Sequence, residues 1–180
     1  NSENAYHVVI IDGASQNSPL IDGVFIVKGN ANGGSNDLTG GGAFITNYVP
    51  GSCHTTTFRG CRFVNNNADY GGAIGVDAEY CQLTISHCII SGNNSVYRGG
   101  GIYSSGVTVV DNCLLVGNNS GNGGAIFAEY MLYLYSNTIV QNSADFVGGL
   151  LIGSNSSAHA RNNIFWGNID ANGNNSQIYY

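Results

Sequence analysis

Phe63-Val64-Asn65-Asn66-Asn67-Ala68-Asp69-Tyr70-Gly71-Gly72-Ala73-Ile74 decides the fold, because it returns in altered form along the chain. Aligned on Asn66, its counterparts fall at Asn93, Asn118, Asn142 and Asn168, with a weaker upstream member at Asn30. Three residues before each Asn stands an apolar side chain: Val27, Phe63, Ile90, Leu115, Ile139 and Phe165. Five residues before it, three consecutive copies carry Cys61, Cys88 and Cys113. After it come a double glycine and apolar residues: Gly71-Gly72-Ala73-Ile74, Gly100-Gly101-Ile102-Tyr103, Gly123-Gly124-Ala125-Ile126 and Gly148-Gly149-Leu150-Leu151. The period is about 25 residues, the mark of a stacked repeat.

Residue type then chooses the kind of repeat. The units are dense in Gly, Asn, Ser, Thr and Tyr, which are poor helix formers. What remains are short alternating runs such as Leu83-Thr84-Ile85, Thr108-Val109-Val110 and Leu132-Tyr133-Leu134, separated by turn residues. Short strands joined by tight turns, one coil per repeat, predict an all-β chain: a single-stranded parallel β-helix solenoid of about six or seven coils.

In such a solenoid neighbouring coils lie about 4.8 Å apart, so matching residues form columns. Leu83, Thr108 and Leu132 make one inward column, and Ile85, Val110 and Leu134 a second. The cysteines make a third, and the residues three before the Asn a fourth. The Asn column falls where the chain turns, in a position that tolerates left-handed backbone. Each amide there can donate to one neighbour and accept from the other, as in cross-β ladders. The structural ladder expected is therefore Asn30, Asn66, Asn93, Asn118, Asn142 and Asn168, with Cys61, Cys88 and Cys113 beside it.

The pairing of Phe-x-x-Asn (Phe63 to Asn66, Phe165 to Asn168) with Gly-Gly-Ala-Ile (Gly71 to Ile74, Gly123 to Ile126) resembles the repeat of the chlamydial polymorphic membrane proteins. It also resembles bacterial surface proteins with right-handed, pectate-lyase-like parallel β-helix repeats, over roughly residues 20 to 170. The resemblance implies a right-handed coil and a secreted or cell-surface setting. It spans adhesins, autotransporter passengers and polysaccharide lyases. It carries over no catalytic residue. Lys28, Arg59, Arg62, Arg98 and Arg161 are scattered, acidic residues do not cluster by threes to hold calcium, and the trio of aspartates of a polygalacturonase-like hydrolase is missing.

The 180 residues suffice for one domain with a real core, read as 1–180. Its regular coils run over about 55–152, with loop excursions at about 30–42 and 47–54. Charged residues are 9% of the chain against about 25% in an ordinary soluble domain. Solubility therefore falls to Asn, Ser, Thr and Gly. A formal charge of -6 with five Lys and Arg argues against nucleic acid and against an acidic membrane surface. The abrupt start and stop in strand-like sequence suggest an excised segment, with end-to-end self-association through open strand edges.

Five cysteines leave at least one thiol unpaired within the chain. Stacked Cys61, Cys88 and Cys113 point the same way, a poor geometry for bridging. A Cys53–Cys81 bridge stays open. With no Cys-x-x-Cys pair, no metal site is expected, and no cofactor is implied. His7, His54, His87 and His159 fall at different coil positions and read as surface or turn residues.

Two constellations are candidates for function. Ala78-Glu79-Tyr80 and Ala128-Glu129-Tyr130 place carboxylates two coils, or about 10 Å, apart, with Asp77 beside the first. That suits the acid and base of an inverting glycosidase, and it equally suits solvated loop carboxylates. Tyr70, Tyr97, Asn122 and Phe146 follow the ladder Asn by four residues. With Tyr103, Phe127, Tyr80 and Tyr130 they would form an aromatic strip. Such rings stack on sugars or anchor a protein partner, or they simply cover a corner. The favoured expectation is a non-enzymatic, adhesin-like surface module presenting loops and rings to a glycan or protein. The alternatives are a carbohydrate-active enzyme using Glu79, Glu129 and Asp77, and a fibre-forming spacer.

Overall fold

The computed structural model describes residues 6–12, 18–33, 38–46, 55–78 and 81–180. Every strand pairing within its four sheets is parallel, and no helix occurs among the described residues. The first coil holds β1 (Val9–Asp12) ahead of it, then β2 (Leu20–Asp22), β3 (Phe25–Val27), β4 (Asn30–Ala31) and β5 (Ala43–Thr46). The second holds β6 (Thr55–Arg59), β7 (Arg62–Val64), β8 (Asn67–Tyr70) and β9 (Ile74–Asp77), and the third β10 (Gln82–Ser86), β11 (Ile89–Ser91), β12 (Asn94–Arg98) and β13 (Ile102–Ser104). The fourth holds β14 (Val107–Asp111), β15 (Leu114–Val116), β16 (Asn119–Ser120) and β17 (Ile126–Ala128). The fifth holds β18 (Met131–Tyr135), β19 (Thr138–Val140), β20 (Ser143–Ala144) and β21 (Leu150–Ile152). Beyond it lie β22 (Ser157–Arg161), β23 (Ile164–Trp166) and β24 (Ile178–Tyr179).

Each strand pairs with the strand one coil away, so the chain is a parallel β-solenoid. Sheet 1 contains β2, β6, β10, β14, β18 and β22, and sheet 2 contains β3, β7, β11, β15, β19 and β23. Sheet 3 holds β4, β8, β12, β16 and β20, and sheet 4 runs β1-β5-β9-β13-β17-β21-β24. Five coils carry a strand in every sheet. That is fewer than the six or seven expected, because β1 and β22–β24 are partial turns.

The inward columns explain why these short runs stack. Thr56, Leu83, Thr108 and Leu132 are in register, as are Phe58, Ile85, Val110 and Leu134, and all are fully buried. Phe58 meets Phe63 edge to face at 5.1 Å, joining sheets 1 and 2 across the core. In the first coil the apolar column is one residue off the repeat alignment. Ile26, not Val27, pairs with Phe63; Ile26 is buried while Val27 is exposed.

Three corners are built from columns of left-handed residues. Between sheets 1 and 2 they are Gly23, Gly60, His87, Asn112, Ser136 and Asn162; between sheets 2 and 3 they are Lys28, Asn65, Gly92, Gly117, Gln141 and Gly167. The glycine runs make the third corner, where the left-handed residues are Gly40, Gly71, Gly99 and Gly123. Gly99 has φ 66, and a Cβ on Gly100 would stand 2.3 Å from the Asn119 carbonyl oxygen of the next coil. The first glycine supplies the turn, and the second lets backbones close up.

One residue beyond each left-handed position at the first two corners lies the side-chain ladder. At the second corner, Asn66 Nδ2 donates to Asn93 Oδ1 at 3.0 Å, Asn93 to Asn118, Asn118 to Asn142 and Asn142 to Asn168, each at 2.9 Å. The same Oδ1 atoms accept the backbone N–H of the preceding rung, and each Nδ2 also donates to a carbonyl of the preceding coil, as Asn118 does to Ile90. Gln177 Oε1 closes the far end at 2.7 Å from Asn168 Nδ2. Asn30 does not belong to this ladder. Gly29 fills the rung, its N–H donating to Asn66 Oδ1, and Asn30 begins a second, outer ladder through Asn67, Asn94 and Asn119. The corner has the same length in the first coil, three residues from Ile26 to Gly29 as from Phe63 to Asn66, so an alignment on Asn30 runs one residue too far along the chain.

The cysteine column is the same device at the first corner. Cys61 N–H donates to Cys88 Sγ, and Cys88 N–H to Cys113 Sγ, both at 3.3 Å. Cys113 N–H then donates to Asn137 Oδ1, and Asn137 N–H to Asn163 Oδ1, both at 2.9 Å. Thiols occupy three rungs and amides the next two. Cys81 is a buried free thiol, and Cys53, its partner in the bridge left open from sequence, lies outside the described residues.

Candidate functional site

The outer face of sheet 4 carries a column of side chains in register: Phe44, Gly75, Tyr103, Phe127, Leu151 and Tyr179. Such outward apolar residues need a cover. Phe127, Val147 and Leu151 form a small cluster outside the main core, with Tyr103 packed against it. Tyr70 folds over this face, 5.5 Å from the Tyr103 ring and 5.4 Å from the Tyr97 ring, and Tyr103 lies 6.2 Å from Phe127.

The expected strip is therefore two rows rather than one. Tyr70 pairs with Arg98 through the backbone, and Arg98 with Asn122, because an irregularity between Ser95 and Arg98 displaces Tyr97 by one residue. Tyr97 and Phe146 remain half exposed, and Phe146 packs on Tyr179 at 4.9 Å. Tyr130 is also exposed, at the rim.

The same irregularity aims Arg98 onto sheet 4. Its guanidinium lies 4.8 Å from the centre of the Phe127 ring and forms an ion pair with Glu129 Oε1. Glu129 Oε2 accepts a hydrogen bond from the Tyr103 hydroxyl at 2.6 Å. Burial, then the Glu129 hydrogen bond, push the Tyr103 phenol up from its ordinary value, so it stays a donor. Both Glu129 oxygens thereby accept hydrogen bonds, one from Arg98 and one from Tyr103.

These groups bound a cleft of about 620 Å³. Arg98, Phe127, Glu129, Tyr130 and the turn at 153–156 line it. The fourth corner, between sheets 4 and 1, supplies the lining from three successive coils: Ser105 after β13, Glu129 after β17 and Gly153 after β21. The backbone ladder keeps them in step, with Glu129 N–H on Ser104 O and Gly153 N–H on Ala128 O, both 2.8 Å. Ser156 Oγ is buried there without a hydrogen-bond partner.

The register also re-sorts the carboxylates. Val76, Ser104 and Ala128 are in one column, so the residue matching Glu129 two coils back is Asp77. Glu79 and Tyr80 lie outside the described residues. Asp77 is exposed at the end of β9 and helps keep the Tyr103 phenol protonated. Among the described residues, no group of three or more His, Cys, Asp or Glu is arranged to hold a metal ion.

Sequence reasoning missed Arg98, which reads as one of several scattered cations, and Ser156, one of many serines. The available signal was the alignment of Tyr103 with Phe127, which marks an outer column too apolar to be left open. No family model, no curated protein and no solved structure matches the chain.

Proposed function

We propose that this chain is a non-catalytic β-solenoid module of an extracellular or cell surface, binding a glycan in the cleft on sheet 4. The observation that carries it is the pairing of an exposed ring with a preformed donor and acceptor. Tyr130 offers apolar ring surface, while the Arg98–Glu129 pair, held over the buried Phe127 ring, offers N–H groups and carboxylate oxygens side by side. Sugars present the same two features, C–H faces and adjacent hydroxyls, and sites of this kind are mostly apolar with a few placed polar groups. The low charge of the chain supports an exposed, adhesin-like role. The Phe-x-x-Asn and Gly-Gly-Ala-Ile repeats support kinship with the right-handed surface-protein solenoids they resemble.

The test is a glycan array run beside a polysaccharide-degradation panel on the intact chain. Binding that falls at least tenfold in Tyr130→Ala or Arg98→Gln, with no product released, is the expected result. Release of reducing or unsaturated ends, lost in Asp77→Asn or Glu129→Gln, would replace the module with an enzyme. Capture of a protein and of no glycan would remove the carbohydrate reading.

A further inference from the structure

We infer that the cleft takes a short, uncharged oligosaccharide lying parallel to the solenoid axis, and that Ser156 Oγ is one of the groups that holds it; this rests on the glycan reading above. Three observations lead there independently.

The first is charge. Among the described residues, Arg98 and Glu129 are the charged groups lining the cleft, and they neutralise each other. A uronate carboxylate entering it would have to take Arg98 from Glu129, leaving a half-buried carboxylate without its partner, and would also meet Asp77 one column step beyond Ser105. Neutral hydroxyls can use the remaining N–H groups of Arg98 and leave the ion pair intact.

The second is direction. The lining residues Ser105, Glu129 and Gly153 come from consecutive coils at the same register, so the trough runs along the axis for about 10 Å, two inter-strand steps. A single sugar would fill part of it, and an extended chain spans it.

The third is an orphaned hydroxyl. Ser156 Oγ is buried, lines the cleft and has no partner. A Cβ built on Gly153 would stand 3.1 Å from it, so the hydroxyl lies close against Gly153, and a χ1 rotation of Ser156 would turn it into the trough. An unpaired buried hydroxyl is unfavourable, and a ligand hydroxyl would satisfy it.

The experiment is a glycan array carrying neutral and uronic-acid oligosaccharides of one to four units, followed by calorimetric titration of the best neutral binder against its uronate counterpart. A neutral ligand should bind at least tenfold more tightly than the uronate, and affinity should rise with length from one sugar to three. Ser156→Ala should weaken it about tenfold, the size of one lost buried hydrogen bond, with the unfolding midpoint of the free protein no lower than the parent's. Gly153→Ala, which crowds that hydroxyl, should do the same. Tighter binding of the uronate, affinity independent of length, or Ser156→Ala indistinguishable from the parent would each overturn the inference while leaving the glycan reading in place. Binding of no saccharide at all would overturn both.

Discussion

The first and second corners of the solenoid solve one problem with two chemistries. Both set a left-handed residue and then a rung residue whose side-chain acceptor takes a backbone N–H from the preceding coil. At the second corner the rung is Asn from Asn66 to Asn168; at the first it is Cys for three coils and Asn at 137 and 163. The amide also donates to its neighbour and to a carbonyl. The thiol does this weakly, with Cys88 Sγ 3.6 Å from Phe58 O where Asn118 Nδ2 is 2.9 Å from Ile90 O. The rung needs an acceptor of the right size, and the strength of its donor is secondary.

The largest effect should come from emptying an amide rung. Asn118→Ala removes the acceptor for Asn93 N–H and Asn93 Nδ2 and the donor to Ile90 O and Asn142 Oδ1, all buried. It should cost about 3–5 kcal/mol, read as a lower urea midpoint with an unchanged slope. A smaller loss would mean that water or a repacked corner replaces the rung.

Cys88→Ala sharpens the contrast. It takes away a weaker acceptor and a small apolar volume, so about 1–2 kcal/mol is expected in the same measurement. The thiol itself should stay unreactive in the folded chain. Contact with Cys113 and burial push the Cys88 thiol up, so labelling by a thiol reagent should await unfolding.

The Asn corner was legible in the sequence because its column repeats at a fixed offset with one residue type. The cysteines were legible as an inward column and not as rungs, since their column changes type at Asn137 and Asn163. The first coil was misplaced by one residue because glycine holds its rung, and glycine offers no side chain to align. The cleft was legible only in its rings. Tyr103 and Glu129 stood out by type, but a one-residue irregularity at Ser95–Arg98 sets which row Tyr97 joins and brings Arg98 over Phe127. Irregularities of that kind leave no mark in a periodic alignment. The matching of Glu129 to Asp77 rather than Glu79 followed from register that only paired strands define.

The cleft gives a pH-dependent test outside both corners. Tyr103 is held protonated in the fold, above its ordinary 10.0. The unfolded phenol ionises first as pH rises past 10.0, so this stability is complete below that value and is lost progressively above it. Tyr103→Phe should therefore lower the urea midpoint at neutral pH and flatten its decline under alkaline conditions. A parallel decline in both proteins would remove the Glu129 contact from the account.

The outer ladder should matter less than either corner, since Asn67, Asn94 and Asn119 are only partly covered. Asn94→Ala should cost under about 1 kcal/mol in the same titration. The exposed Asp22–Arg59 pair should matter least. Asp22→Asn is expected to leave the midpoint unmoved at neutral pH, because water screens such pairs.

The central claim is that the two corners are one rung with interchangeable acceptors, and Cys113→Asn tests it most directly. The new amide would accept from Cys88 N–H and donate to Ile85 O and Asn137 Oδ1, continuing the amide run already present at 137 and 163. Urea denaturation should show a midpoint equal to or above the parent's. A loss approaching that of Asn118→Ala would contradict the account and make the thiol column a packing feature distinct from the amide ladder.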